Sequence, residues 1–307
     1  MNVGKLIKGY IAVILSAILY GCMPLMATHI YADGVNAMTL VFLRNFLALP
    51  VIAAMAYGQC RSLKISPKLL VSVSSTALFG SCITPVLLFS SYKFIDGGTA
   101  TVIHFIYPAI VVLASFLLKK DKPNWGNVTS VILCFGGICM FYNPGAPLAW
   151  EGLLLAAISG FTYATYVLLL SGNKTKQVPS FLYAFYVALT CSVVMFTVCL
   201  VTGQLALPRT LTGWGISTLF ALGITCGAVV LFQLGTFLIG GQQSSILSAL
   251  EPITSVVVDV VIFHKILGLQ TGIGVVLVVS ATVLLGVYNF MKAKKAPIKN
   301  NKQKRSV

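Results

Sequence analysis

Residues 95–108 read IDGGTATVIHFIYP, and residues 239–252 read IGGQQSSILSALEP. Laid over each other at an offset of 144, Ile95, Gly97, Thr101 and Pro108 meet Ile239, Gly241, Ser245 and Pro252. The register holds without a gap through Ser130/Gly274, Val131/Val275, Leu133/Leu277 and Gly137/Ala281. Toward the front of each half the offset is 143, and Gly9, Ser16 and Tyr20 return as Gly152, Ser159 and Tyr163. The chain therefore says nearly the same thing twice.

What is repeated is a set of apolar spans. The sequence is 58% hydrophobic and 9% charged, with a mean hydropathy of +0.94. A soluble domain carries about 25% charged residues. Apolar stretches of about 18 or more residues predict membrane helices. They fall at 9–31, 36–57, 69–92, 97–119, 126–142, 151–171, 179–203, 213–235, 242–263 and 270–291. Every span must be a helix, because lipid offers the backbone no hydrogen bonds. An outer-membrane barrel is excluded, since its strands would alternate. The first apolar run is too long for a signal peptide and lacks a cleavage site, so it reads as a retained helix. The expected fold is an all-α integral membrane protein of ten transmembrane helices. Five spans per half is an odd number, so the second half enters the membrane from the other side. Two inverted five-helix repeats around a midplane site are a secondary-transporter architecture. The expected units are 1–145, 146–291 and a basic tail, 292–307. The boundary lies at the turn Asn143-Pro-Gly-Ala-Pro147.

The net charge of +15 does not point to nucleic acid, because its placement is that of a membrane protein. Of 21 Lys and Arg, 17 lie on one side and three (Lys93, Arg209, Lys265) on the other, with Arg44 alone inside a span. Positive residues mark the cytosolic side, which puts both termini in the cytosol of an inner-membrane protein. The tail KAKKAPIKNNKQKR is expected to rest on anionic lipid headgroups. The eight cysteines form no C-x-x-C pair and have no His cluster, so neither metal nor cofactor is expected.

Charge within a span is costly and marks function by default. At a rise of about 1.5 Å per residue, Arg44 in span two and Glu251 in span nine lie near the midplane, ~4 Å apart in depth. They can form a structural ion pair or a substrate and coupling site, or Arg44 can simply reach a phosphate or a cavity water. Asp259 lies two turns beyond Glu251, near the outer headgroups. His104 and Tyr107 share a face of span four, and their repeat mates are Ser248 and Glu251. A histidine at this depth can relay a proton or stand neutral, hydrogen-bonded to a neighbour, so proton coupling through Glu251 or His104, or no coupling as in a facilitator, is open. Tyr20, Tyr163 and Gln233 add polar tips to apolar walls, as a small-molecule cavity requires. Pro24, Pro50, Pro85, Pro108 and Pro252 break helices within spans. The matched pair Pro108/Pro252 is the stronger pointer, because corresponding interruptions in two halves mark a binding site. Gly268, Gly272 and Gly274 could admit a neighbouring helix, including one from a homodimer partner.

The ten spans, the two repeats, Leu43-Arg44-Asn45-Phe46 in span two and Glu251-Pro252 in span nine resemble the EamA family, the broad bacterial branch of the drug/metabolite transporters. The resemblance covers about residues 9–290. It implies export of amino acids or other small metabolites through a central cavity lined by spans one to four and six to nine. It also implies that Arg44, His104, Tyr107, Glu251 and Pro252 occupy the family's polar and kinked positions. Many members are more apolar where this chain has His104-Tyr107-Pro108. A nucleotide-sugar or phosphorylated-metabolite carrier would need several cavity cations. A membrane-embedded enzyme would show a polar catalytic cluster, and a sensor scaffold would carry a soluble effector domain. The sequence shows none of these.

Overall fold

The computed structural model describes residues 3–95, 97–119, 125–140, 149–172, 175–263 and 268–295, and every regular element among them is helical. The loop at 143–147 and the tail beyond 295 lie outside the described residues, as does the side chain of Asp259.

Proline marks most of the points at which the spans are divided. The first is α1 (Val3–Gly21) and α2 (Met23–Ala32), broken at Cys22 just before Pro24. The second is α3 (Ala37–Phe46) and α4 (Leu49–Cys60), broken ahead of Pro50. In the third, α5 (Pro67–Ala77) widens into a π-helical stretch, Leu78–Ile83, before α6 (Thr84–Ser91) and Pro85. The fourth is α7 (Gly97–His104) and α8 (Tyr107–Lys119), followed by α9 (Trp125–Cys139). The second half runs α10 (Trp150–Leu170), α11 (Ser180–Val201), α12 (Leu211–Phe220), a π-helical stretch Ala221–Val229, α13 (Val230–Ile239), α14 (Gly241–Leu247), α15 (Leu250–Phe263) and α16 (Leu269–Lys295). Pro108 and Pro252 lie in the first turns of α8 and α15, where a missing N–H has no helical partner to lose. The carbonyls they leave behind, at His104 and Ser248, end the preceding helices.

Among the described residues, six segments are long and apolar enough to cross a membrane: Gly4–Ala32, Ala37–Cys60, Pro67–Ser91, Trp150–Leu170, Ser180–Val201 and Leu211–Ile239. Trp125–Cys139 and Gly272–Leu285 are shorter apolar helices. Large apolar side chains such as Leu117, Val201, Leu211 and Val261 are exposed, as a lipid-facing surface requires.

Packing is reciprocal when the halves are exchanged. Helix α1 packs on α13 and α15, and its repeat mate α10 packs on α6 and α8. Helices α9 and α16, mates of each other, pack together, as do α11 and the α3–α4 pair. Small residues make the close approaches. Ile239 fills the space beside Gly9, and Ile95 the space beside Gly152, where an added Cβ would lie 2.9 Å from its Cγ2. These are two pairs of repeat mates making one contact twice.

Both ends of the bundle are tied across the halves. At one end the Asp33 carboxylate accepts from the backbone N–H of Arg209 (2.8 Å) and of Thr210 (3.1 Å). The Thr210 amide, with help from the Thr210 hydroxyl and Arg209, holds the Asp33 carboxyl below its usual range despite partial desolvation. Asn36 and Thr39 both donate to the Gln204 carbonyl (2.6 and 3.0 Å). At the other end the Tyr10 hydroxyl donates to Gln243 Oε1 (3.1 Å), and Asn127 Nδ2 to Gln242 Oε1 (2.6 Å).

Candidate functional site

Five of the residues singled out from sequence, Tyr20, Arg44, His104, Tyr163 and Glu251, line one cavity. Met23, Pro85, Leu88 and Phe89 make it apolar, and Gly80 and Thr84 complete it from the π-helical turn and the start of α6. The elements arrive there for separate reasons. Gly21 lets α1 come so close to α15 that an added Cβ would stand 2.8 Å from the Glu251 carbonyl oxygen, which brings Tyr20 and Glu251 to the same space. The break at 248–249 lets Glu251 open a new helix, with its N–H bonded to the Ser248 carbonyl at 2.9 Å. The break at 105–106 ends α7 at His104.

Arg44 is 3% exposed, and its guanidinium lies over the Phe89 ring, 5.9 Å from the centroid. Its Nε has no hydrogen-bond partner. A cation–π contact of this kind is worth about 0.5–2 kcal/mol, less than the cost of burying a cation. His104 bonds through Nδ1 to Ser159 Oγ at 2.8 Å, and Ser159 Oγ donates to the Ala156 carbonyl at 2.6 Å.

The repeat mates Tyr20 and Tyr163 both reach the cavity. Tyr163 also heads an aromatic cluster: Tyr107 meets it edge-on at 4.7 Å, with His104 at 5.3 Å, Tyr166 at 5.4 Å and Phe232 at 5.9 Å. Tyr107 is fully buried in this cluster. Gln233 is buried on α13, and the Ser248 hydroxyl donates to the Ser244 carbonyl in its own helix at 2.9 Å. None of these three lines the cavity itself, although Tyr107 packs against its lining residues His104 and Tyr163. Its wall is one-sided as well: Phe232 and Tyr166 occupy in the second half the positions that Phe89 and Met23 hold in the first.

The cavity measures about 40 Å³. That is room for a few waters, against roughly 300–1,000 Å³ in ordinary ligand sites. With both ends tied, the walls must part before a metabolite enters.

Three features escaped the sequence. The π-helical stretches begin at Leu78 and Ala221, 143 positions apart, so both halves loosen the same helix at the same place. Such turns are frequent at functional sites, and Gly80 reaches the cavity from the first. Their register in the repeat was visible, but no proline marks the second. Ser159 was visible only as the mate of Ser16. Thr84 and its hydrogen-bond partner Thr162 carried no signal, because a lone Thr in an apolar helix normally bonds its own backbone.

Gly160 carries a stability prediction. A Cβ there would stand 2.8 Å from the His104 carbonyl oxygen, a backbone atom at the helix break. Gly160→Ala is expected to cost about 1–3 kcal/mol through overpacking and to lower the thermal unfolding midpoint in detergent. An unchanged midpoint would mean that α7 and α10 are not in this close register.

The sequence model of the EamA-like transporter family matches residues 7–143 and, a second time, residues 150–287. An uncharacterized inner membrane transporter, YicL of Salmonella typhimurium, is 23% identical over 311 residues, covering 95% of this chain and 100% of the relative. A crystal structure of another protein, 18% identical, superposes with a TM-score of 0.75 over 92% of this chain and 98% of its own. That likeness concerns the fold.

Proposed function

This chain belongs to the EamA-like transporter family, and we propose that it is an inner-membrane secondary carrier that exports amino acids or related small metabolites by alternating access. That it is a membrane transporter follows from the family. The finer reading is supported by one observation: Arg44 and a carboxylic acid, Glu251, line a single small cavity with apolar walls. A zwitterion needs a donor for its carboxylate, an acceptor for its ammonium and apolar surface for its side chain.

Alternating access draws support from the reciprocal packing of the halves and from the ties at both ends. We take the broken pairs α7–α8 and α14–α15, with α9 and α16, to complete ten spans in two inverted five-helix units. Both termini are then cytosolic, and the basic tail meets anionic lipid. Protons couple through Glu251, with His104 lining the same cavity. A nucleotide-sugar or phosphorylated-metabolite carrier is disfavoured, because Arg44 is the one cation among the described lining residues.

Counterflow in proteoliposomes against a panel of amino acids, nucleosides and drugs tests the proposal. Exchange is expected with zwitterionic amino acids. Exchange confined to phosphorylated compounds would overturn the substrate class.

A further inference from the structure

Two hydrogen-bond relays leave the cavity in the same direction. The first is His104–Ser159–Ala156. A serine hydroxyl has one hydrogen, and that of Ser159 goes to the Ala156 carbonyl at 2.6 Å. The 2.8 Å bond between Ser159 Oγ and His104 Nδ1 must then run from the ring N–H to the oxygen. A neutral imidazole carries a single N–H, so Nε2 is left as an acceptor. The second relay is Thr84–Thr162–Ser159. Thr162 Oγ1 donates to the Ser159 carbonyl at 3.0 Å. Its 2.7 Å bond to Thr84 Oγ1 must therefore take the proton of Thr84, whose hydroxyl keeps only lone pairs for other partners. His104 and Thr84 both line the cavity, from α7 and α6, while Ser159 and Thr162 stand behind them on α10.

We infer that Ser159 and Thr162 are positioning residues that make this wall of the cavity hydrogen-bond-accepting, so that the site selects a ligand with an ammonium or comparable N–H group at one end and an anion at the other. The anion is taken by Arg44, a donor-only side chain with an unpartnered Nε. The relays make the discrimination directional. A hydroxyl or ring free to turn could satisfy either a donor or an acceptor, whereas one whose proton is already held by a hydroxyl that itself donates to a backbone carbonyl cannot. The second half lacks this device. There Ser248 stands at the position of His104 and spends its proton on the Ser244 carbonyl within its own helix. The inference rests on the transporter reading for its ligand, and its structural part stands without it.

The test has two arms, both on the full chain. In the first, the chain is labelled with ¹⁵N-histidine, placed in lipid nanodiscs at neutral pH and read by NMR. His104 is expected to show a protonated Nδ1 and a bare Nε2, and Ser159→Ala to move the proton to Nε2. A wild-type ring protonated at Nε2 alone overturns the inference, whatever the chain transports. In the second, L-phenylalanine and its deaminated analogue 3-phenylpropanoate compete for counterflow. The wild type is expected to prefer the amino acid by about tenfold or more, the usual worth of a hydrogen bond to a charged group. Ser159→Ala and the isosteric Thr162→Val should each shrink that preference, and Thr162→Val keeps the arm decisive if Ser159→Ala fails to fold. An unchanged preference in folded variants overturns the inference. A wild type that carries no amino acid at all sinks the proposed substrate class, and the nitrogen pattern of the ring still decides this point.

Discussion

Glu251→Gln is expected to give a folded, inserted protein that no longer accumulates substrate against a gradient. Gln keeps the volume and a hydrogen-bonding head, so the helix start after the 248–249 break should survive. It cannot take up or release a proton. If Glu251 couples transport, uptake driven by an imposed pH gradient across proteoliposomes should vanish. Passive counterflow should persist with an apparent affinity weakened by about tenfold or more, because a charge-assisted bond to the ligand's ammonium becomes a neutral one. Uptake in the variant that kept the wild-type pH dependence would remove Glu251 from the mechanism.

Arg44→Met should have the larger effect on binding and little effect on stability. The guanidinium is 3% exposed, rests on Phe89 and leaves Nε unpartnered. The fold thus buries a cation without fully using its donors, an arrangement that a ligand's carboxylate can complete. Methionine retains most of the apolar stem and relieves the cost of the buried charge. Substrate affinity is expected to fall by about 2–3 kcal/mol, roughly 30- to 150-fold, with the unfolding midpoint in detergent nearly unmoved. The rival account, a structural ion pair with Glu251, makes the opposite forecast. There, losing Arg44 alone destabilises by about 3–5 kcal/mol, and adding Glu251→Gln restores stability, because breaking a buried pair strands its partner. Unfolding midpoints of the two single variants and the double variant separate the accounts.

These predictions draw unequally on sequence and structure. Arg44, Glu251 and His104 stood out because charge and imidazole are rare in apolar spans. The depth estimate that put Arg44 and Glu251 near one level agrees with their sharing a cavity. Tyr20 and Tyr163 were found through the repeat, and they too reach it. Tyr107 shares a face with His104 and is the repeat mate of Glu251, and Gln233 is an amide in span eight, yet one is buried in an aromatic cluster and the other on α13. A one-dimensional pattern gives the face of a helix but not what packs against that face. Tyr107 shares its face with His104, and the edge-on ring of Tyr163 covers it.

The helical, membrane-embedded character, the internal repeat and the prolines that break helices were determined by the sequence alone. Each follows from local chemistry, namely apolar length, matching residue types at a fixed offset, and a missing N–H. Only the tertiary structure decided which polar groups meet and which way their protons point. Ser159 and Thr162 acquire a role because α6 and α7 pack against α10, and that proximity is set by glycines and side-chain volumes far apart in the chain. Hydrogen-bond direction depends on every partner at once, so no stretch of sequence carries it.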